Sequence, residues 1–138
     1  MNVDINWLAV ILATASTMVV GSIWYTPKVF GNTWMKLAKV KPTGKGSDAA
    51  GAMVLTVLAS FVTAYVLAHV TFLAHQYFGN SYLHDALSTA FWVWLGFTAM
   101  RFITHDAFEM RSFKLTFLNI THELVTFMVM GAIIGWIH

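Results

Sequence analysis

The sequence predicts an all-α integral membrane protein, a four-helix bundle with both termini on the non-cytoplasmic side. Three observations predict it. Of 138 residues, 58% are apolar and only 10% charged, where a soluble domain averages roughly a quarter charged and under half apolar; mean hydropathy is +0.67. Four apolar runs reach the length of about twenty helical residues needed to cross about 30 Å of hydrocarbon. All eight Lys and Arg lie in or beside two loops that a four-span chain places on one side, and basic residues near short loops stay cytoplasmic. One transmembrane domain, residues 1–138, accounts for the whole chain.

The first span covers residues 5–25. Asn2 and Asp4 can cap its start, and Thr26-Pro27 ends it because proline disfavours helix in the residue before it. No Lys or Arg precedes Lys28, so the basic start of a cleavable signal peptide is missing and the segment reads as a retained helix. Residues 26–49 form the first cytoplasmic loop, with Lys28, Lys36, Lys39, Lys41 and Lys45. Within it, Asn32–Lys39 (NTWMKLAK) predicts a short interfacial helix, with Trp34 and Leu37 or Ala38 toward acyl chains and Lys36 and Lys39 toward phosphates. Anionic lipid is the partner this loop implies. Val40–Gly46 reads as a hinge from its Pro, Gly and Lys content.

The second span, residues 50–74, follows a Ser47-Asp48 cap. Gly79-Asn80-Ser81 separates it from the third, residues 85–103. Arg111 and Lys114 precede the fourth, residues 114–137. Trp24, Tyr25, Trp34, Tyr77 and Tyr82 fall at expected interfaces, where amphipathic rings are favoured. Lipid tails give helices no hydrophobic reason to associate, so small residues carry the packing: Thr14, Thr17 and Gly21; Ser60, Ala64 and Ala68; and the Gly131–Gly135 pair, which serves either the bundle interior or a contact between subunits. So small a bundle has little interior of its own, and a homo-oligomer is expected.

The fourth span carries a polar stripe. Thr116, Asn119, His122, Glu123 and Thr126 share one face of a helix turning about 100° per residue, and Glu123 falls about 14 Å from the entry at Lys114. A carboxylate near the midplane costs roughly 2.5–3.5 kcal/mol on insertion scales, so the stripe must face other helices or water. The same depth holds Thr17, Thr56 and Ser60. Arg101, nearer the cytoplasmic edge, has Asp106, Glu109 and Glu123 as natural partners. Asn119, His122, Glu123, Thr126, Arg101, Thr17 and Ser60 thus form the candidate intramembrane site. It reads either as helix glue or as the lining of a path for a proton, ion or small polar solute.

Other chemistries find less support. There is no cysteine, which excludes disulfides, thiolate metal sites and cysteine nucleophiles. His69 and His122 sit at unmatched depths for bis-histidine haem. His75, His84 and His138 gather with Asp4 and Asp85 near the outer face, where zinc or copper is conceivable, but no tight spacing supports it. No phosphate loop, nucleophile elbow or HExxH motif occurs. The pI near 9.1 reflects topology rather than nucleic-acid binding. No cofactor, resident metal or enzymatic activity is expected.

WYTPKVFGNTWMKL (Trp24–Leu37) together with FEMRSFKLTFLNITHELVTFMVMGAI (Phe108–Ile133) resembles a bacterial family known as domain of unknown function 1761. The matching residues are Trp24, Tyr25, Pro27, Phe30, Gly31, Trp34, Glu109, Arg111, Asn119, Met130 and Gly131. The resemblance implies a small four-span protein of the bacterial cytoplasmic membrane and no particular activity. It also draws Tyr25, Pro27, Glu109 and Arg111 together as a cytoplasmic lid that pins the first loop to the entrance of the fourth helix. Two functions remain open at this point: a homo-oligomeric permeation or transport protein lined by the fourth helix, or an accessory membrane protein whose polar residues serve assembly.

Overall fold

The computed structural model describes residues 3–40 and 46–138, and the side chains of 46–49 are not among those described. Most of the hinge expected at Val40–Gly46, with Lys41 and Lys45, falls outside these residues, as does the cap expected from Asn2. The elements are α1 (Trp7–Trp24), a π-helical turn (Pro27–Gly31), α2 (Asn32–Ala38), α3 (Gly46–Phe78), α4 (Tyr82–Val93), a π-helical segment (Trp94–Ala99), α5 (Met100–Phe108) and α6 (Phe113–Trp136). Four helical stretches are long and apolar enough to cross a membrane: Trp7–Trp24, Ala50–Phe78, Tyr82–Phe108 and Phe113–Trp136.

Local chemistry sets the ends. Asn6 caps α1, its side chain accepting from the N–H groups of Leu8 and Ala9 and satisfying two otherwise orphaned donors. The side-chain amide of Asn6 also donates to the Ile137 carbonyl, tying the start of α1 to the end of α6. Asn6 therefore takes the place expected of Asp4, and α1 starts two residues later than the apolar run. Helix α3 begins at Gly46, so Ser47 and Asp48 lie inside its first turn. At Gly79 the backbone turns left-handed (φ 64°), a conformation glycine adopts without the Cβ penalty; Ser81 then caps α4 by accepting from the His84 N–H.

The four long stretches form a ring in chain order, α1 against α3, α3 against α4, α4 against α6, and α6 against α1. The core lies among Val10, Ala13, Ala64, Leu67, Met130 and Ile134, toward the end that holds the histidines His75, His84 and His138. Gly131 and Gly135 pack on α4 inside this bundle. A Cβ on Gly131 would come 2.8 Å from the Cβ of Ala90, and one on Gly135 would come 2.7 Å from the Cα of Leu83. At the opposite, basic end the ring opens, and residues 51–59 of α3 are all exposed. Across its apolar stretch α3 is only 17% buried, against 33% for α6. The outward surface of each of the four long stretches carries exposed apolar side chains, including Leu8, Leu55, Leu58, Trp92, Phe97 and Phe117. Patches of that extent are foreign to a soluble monomer, and the molecule is compatible with a multi-pass membrane protein.

The π-helical segment Trp94–Ala99 corrects one sequence expectation. Uninterrupted α-rotation would carry Arg101 onto the inward face of Ala86 and Ala90 and Asp106 onto the opposite one. A π segment accommodates one extra residue and turns everything after it by roughly 100°. That turn brings Asp106 off the outer face toward α6, where it is buried and accepts from the Thr116 hydroxyl, while Arg101 is exposed. Trp94 anchors this segment, its indole N–H donating to the Ile120 carbonyl of α6 at 2.9 Å.

Candidate functional site

The open end of the ring exposes a cleft between α3 and α6 with a volume of about 260 Å³, lined by Thr56, Ser60 and Thr63 on one side and by Glu123, Thr126 and Phe127 on the other. Helical spacing explains the convergence: Thr56, Ser60 and Thr63 recur every three or four residues along one face of α3, as Glu123 and Thr126 do on α6. Thr17 joins at the edge, its hydroxyl hydrogen-bonded to that of Ser60 at 3.0 Å. Thr63 is the member that sequence reasoning missed, although its spacing from Thr56 and Ser60 carried the signal.

The hydroxyl protons of this cleft are largely committed. Thr56 donates to the Ala52 carbonyl at 2.8 Å, Thr63 to Ala59 at 2.9 Å and Thr126 to His122 at 3.0 Å. A hydroxyl that has spent its proton has only lone pairs left to offer. Together with the Glu123 carboxylate, which lies 3.3 Å from the Nδ1 of His122, they leave a cleft rich in acceptors.

Behind Glu123, His122 is roofed by aromatic rings. Tyr25 lies 5.0 Å and Trp24 5.7 Å from it, centroid to centroid. The Nε2 of His122 and the indole nitrogen of Trp24 are both buried without a protein partner. Gly21 lies beside His122, where a Cβ would make ordinary contact with that Nε2 at 3.9 Å. Burial first, and the Glu123 carboxylate second, push the Tyr25 phenol up to about 12, so it stays a protonated donor throughout the physiological range. The expected result of an alkaline absorbance titration is a tyrosine titrating near pH 12 that disappears in Tyr25→Phe. In Glu123→Gln the same transition moves toward the ordinary 10.0, because the repulsion of phenolate by carboxylate is gone. A Tyr25 transition unmoved by Glu123→Gln would show that the two groups do not interact.

The remaining candidates lie elsewhere. Arg101 does not join Glu123; it lines a separate recess with Phe97, His105, Asp106, Glu109 and Arg111. Asn119 is half-buried on α6, one turn from Glu123 toward the basic end. The expected lid is arranged differently too. Arg111 pairs with Glu109 and approaches Asp106 at 3.8 Å, and Asp106 accepts from the Thr116 hydroxyl at 2.7 Å. Tyr25 instead packs on Trp34 and His122, and Pro27 opens the π-helical turn at the surface. Among the described residues no hydrogen bond or ion pair joins Glu109 or Arg111 to Tyr25 or Pro27. The first loop reaches α6 through apolar and aromatic side chains.

At the histidine end, Asp85 is only 3% exposed and accepts from Asn80 at 2.9 Å and from His75 at 3.0 Å, with His84 at 3.5 Å. His138 bonds the Gly135 carbonyl and stacks on Tyr82. The histidines thus have structural partners, and among the described residues no three His, Asp or Glu side chains converge to hold a metal ion.

No curated protein and no solved structure matches the chain. A family model does, under the description "Protein of unknown function (DUF1761)", over residues 8–135. That match takes in all four long helices, the π-helical segment and both walls of the cleft, and the chain belongs to this family.

Proposed function

We propose that this is a multi-pass protein of the bacterial cytoplasmic membrane whose α3–α6 cleft admits a proton or small cation, within a homo-oligomer. The basic end and first loop face the cytoplasm and both termini lie outside, following the retention of Lys and Arg on that side. The observation that carries the reading is the cleft itself. It gathers Glu123 and hydroxyl oxygens with committed protons, a set suited to hard cations and proton donors and unsuited to anions. The bare stretch of α3 beside it, with Met53, Val54, Val57 and Leu58 exposed, offers a neighbouring copy an apolar surface that would continue the cleft across subunits.

Reconstitution into liposomes tests this. The expected result is a flux of protons or of sodium or potassium ions, falling at least tenfold in Glu123→Gln while the detergent-solubilised oligomer keeps its mass. Wild-type liposomes that pass neither protons nor cations would overturn it. One observation favours the second reading, an accessory protein whose polar residues serve assembly: the close packing of Gly131 and Gly135 on α4 seals the interior of a single chain beyond the cleft. Under that reading Glu123→Gln changes the oligomer mass, and no flux is seen in any variant.

A further inference from the structure

A second depression lies at the basic end, outside the cleft. It is a groove of about 900 Å³ between the first loop and the start of α6, walled by Trp24, Phe30 and Leu37 on one side and Phe113, Phe117 and Leu118 on the other. The volume is at the upper end of the roughly 300–1,000 Å³ typical of ligand sites. Lys36 and Lys114 also line it, one from each wall, and among the described residues neither forms an ion pair. The loop wall is held in place: Trp24 packs on Phe30 at 4.5 Å and Tyr25 on Trp34 at 5.3 Å. Gly31 is buried so tightly that a Cβ would overlap the Tyr25 carbonyl. The hydroxyl of Thr121, at the groove's deeper end, is satisfied by the Phe117 carbonyl at 2.7 Å, so the groove makes little polar demand below its charged mouth.

We propose that this groove binds one anionic phospholipid, an acyl chain lying against the aromatic walls and the phosphate between Lys36 and Lys114. The arrangement matches such a molecule in order as well as composition. Lys114 lies in the first turn of α6, and Phe117 and Leu118 follow it by about 4.5–6 Å of helical rise, so the charge sits at the groove's mouth and apolar surface continues in the direction that leads from headgroup to tail. The proposal rests on the membrane insertion argued above, and fractionation of cell membranes tests that insertion separately from lipid binding.

Native mass spectrometry of the detergent-solubilised protein, titrated with phosphatidylglycerol or phosphatidylcholine, provides the test. The expected result is one retained phosphatidylglycerol per chain. Removing both groove charges (K36Q with K114Q) weakens it roughly thirtyfold, given about 1 kcal/mol for each lysine near an anionic headgroup. The control R101Q, in the separate recess beyond the π-helical segment, leaves it unchanged. Thr33→Trp, which fills the groove without altering charge, also displaces the lipid, so a folding defect in one variant does not decide the outcome. Equal retention of phosphatidylcholine, equal loss in the R101Q control, or displacement by inorganic phosphate would each overturn the proposal.

Discussion

Replacing Gly135 with leucine is expected to cost about 3 kcal/mol or more of folding stability, at the upper end of what overpacking costs. The added Cβ would stand 2.7 Å from the Cα of Leu83 and 3.0 Å from the Cβ of Ala86. The first of these is backbone and cannot rotate away, so α4 and α6 must separate. Separation also loosens Gly131, one turn earlier, where a Cβ would meet the Ala86 carbonyl oxygen at 3.1 Å. Leucine at 131 and 135 together should therefore cost less than the sum of the single changes, because they share Ala86 and either one forces the same movement. Equilibrium unfolding of the solubilised protein in a denaturing-detergent titration measures it. A Gly135→Leu protein within 1 kcal/mol of wild type would show that α4 and α6 do not pack as closely as described.

Removing Asp85 should rank next. The buried carboxylate collects a hydrogen bond from Asn80, one from His75 and a longer approach from His84, joining α3, the Gly79–Ser81 turn and α4 at one point. Charge-assisted hydrogen bonds contribute about 1.5–3 kcal/mol each. Asn80 is exposed and His75 partly so, which lets water replace some of the loss, so about 3 kcal/mol is expected for Asp85→Ala. Asp85→Asn keeps an acceptor and should cost roughly half as much. His84, whose side chain is 67% exposed, should contribute under about 1 kcal/mol, as surface pairs do. Asp85→Ala as stable as His84→Ala would remove the cluster from the account of stability.

The parts of this molecule that were legible in the sequence are those written in hydropathy and helical period. The four long helices coincide with the four apolar runs, since length and greasiness are local properties. The short helix at Asn32–Ala38 coincides with NTWMKLAK for the same reason, and Glu123 and Thr126 turn inward because a shared face follows from spacing alone. What was hidden depends on phase and on long-range partners. The π segment is one residue of excess winding and leaves no mark in composition, yet it brings Asp106 off the outer face to its partner Thr116. Asn6, the cap in place of Asp4, also reaches Ile137, 131 residues away, a partner that local sequence does not reveal. Glu109 and Arg111 read as a lid on the first loop, whereas in the structure they pair with each other beside the buried Asp106.

The uneven burial of α3 has a mechanical consequence. It is gripped at Ala64, Leu67, Ala68 and Thr71 and bare from residue 51 to 59, so it behaves as a beam clamped at one end. Thermal bending of such a beam grows with distance from the clamp, and the free portion carries the Thr56 side of the gap facing Glu123. The width of that gap therefore varies as the free portion bends, and in the bilayer proposed above lateral pressure from lipid would act on it.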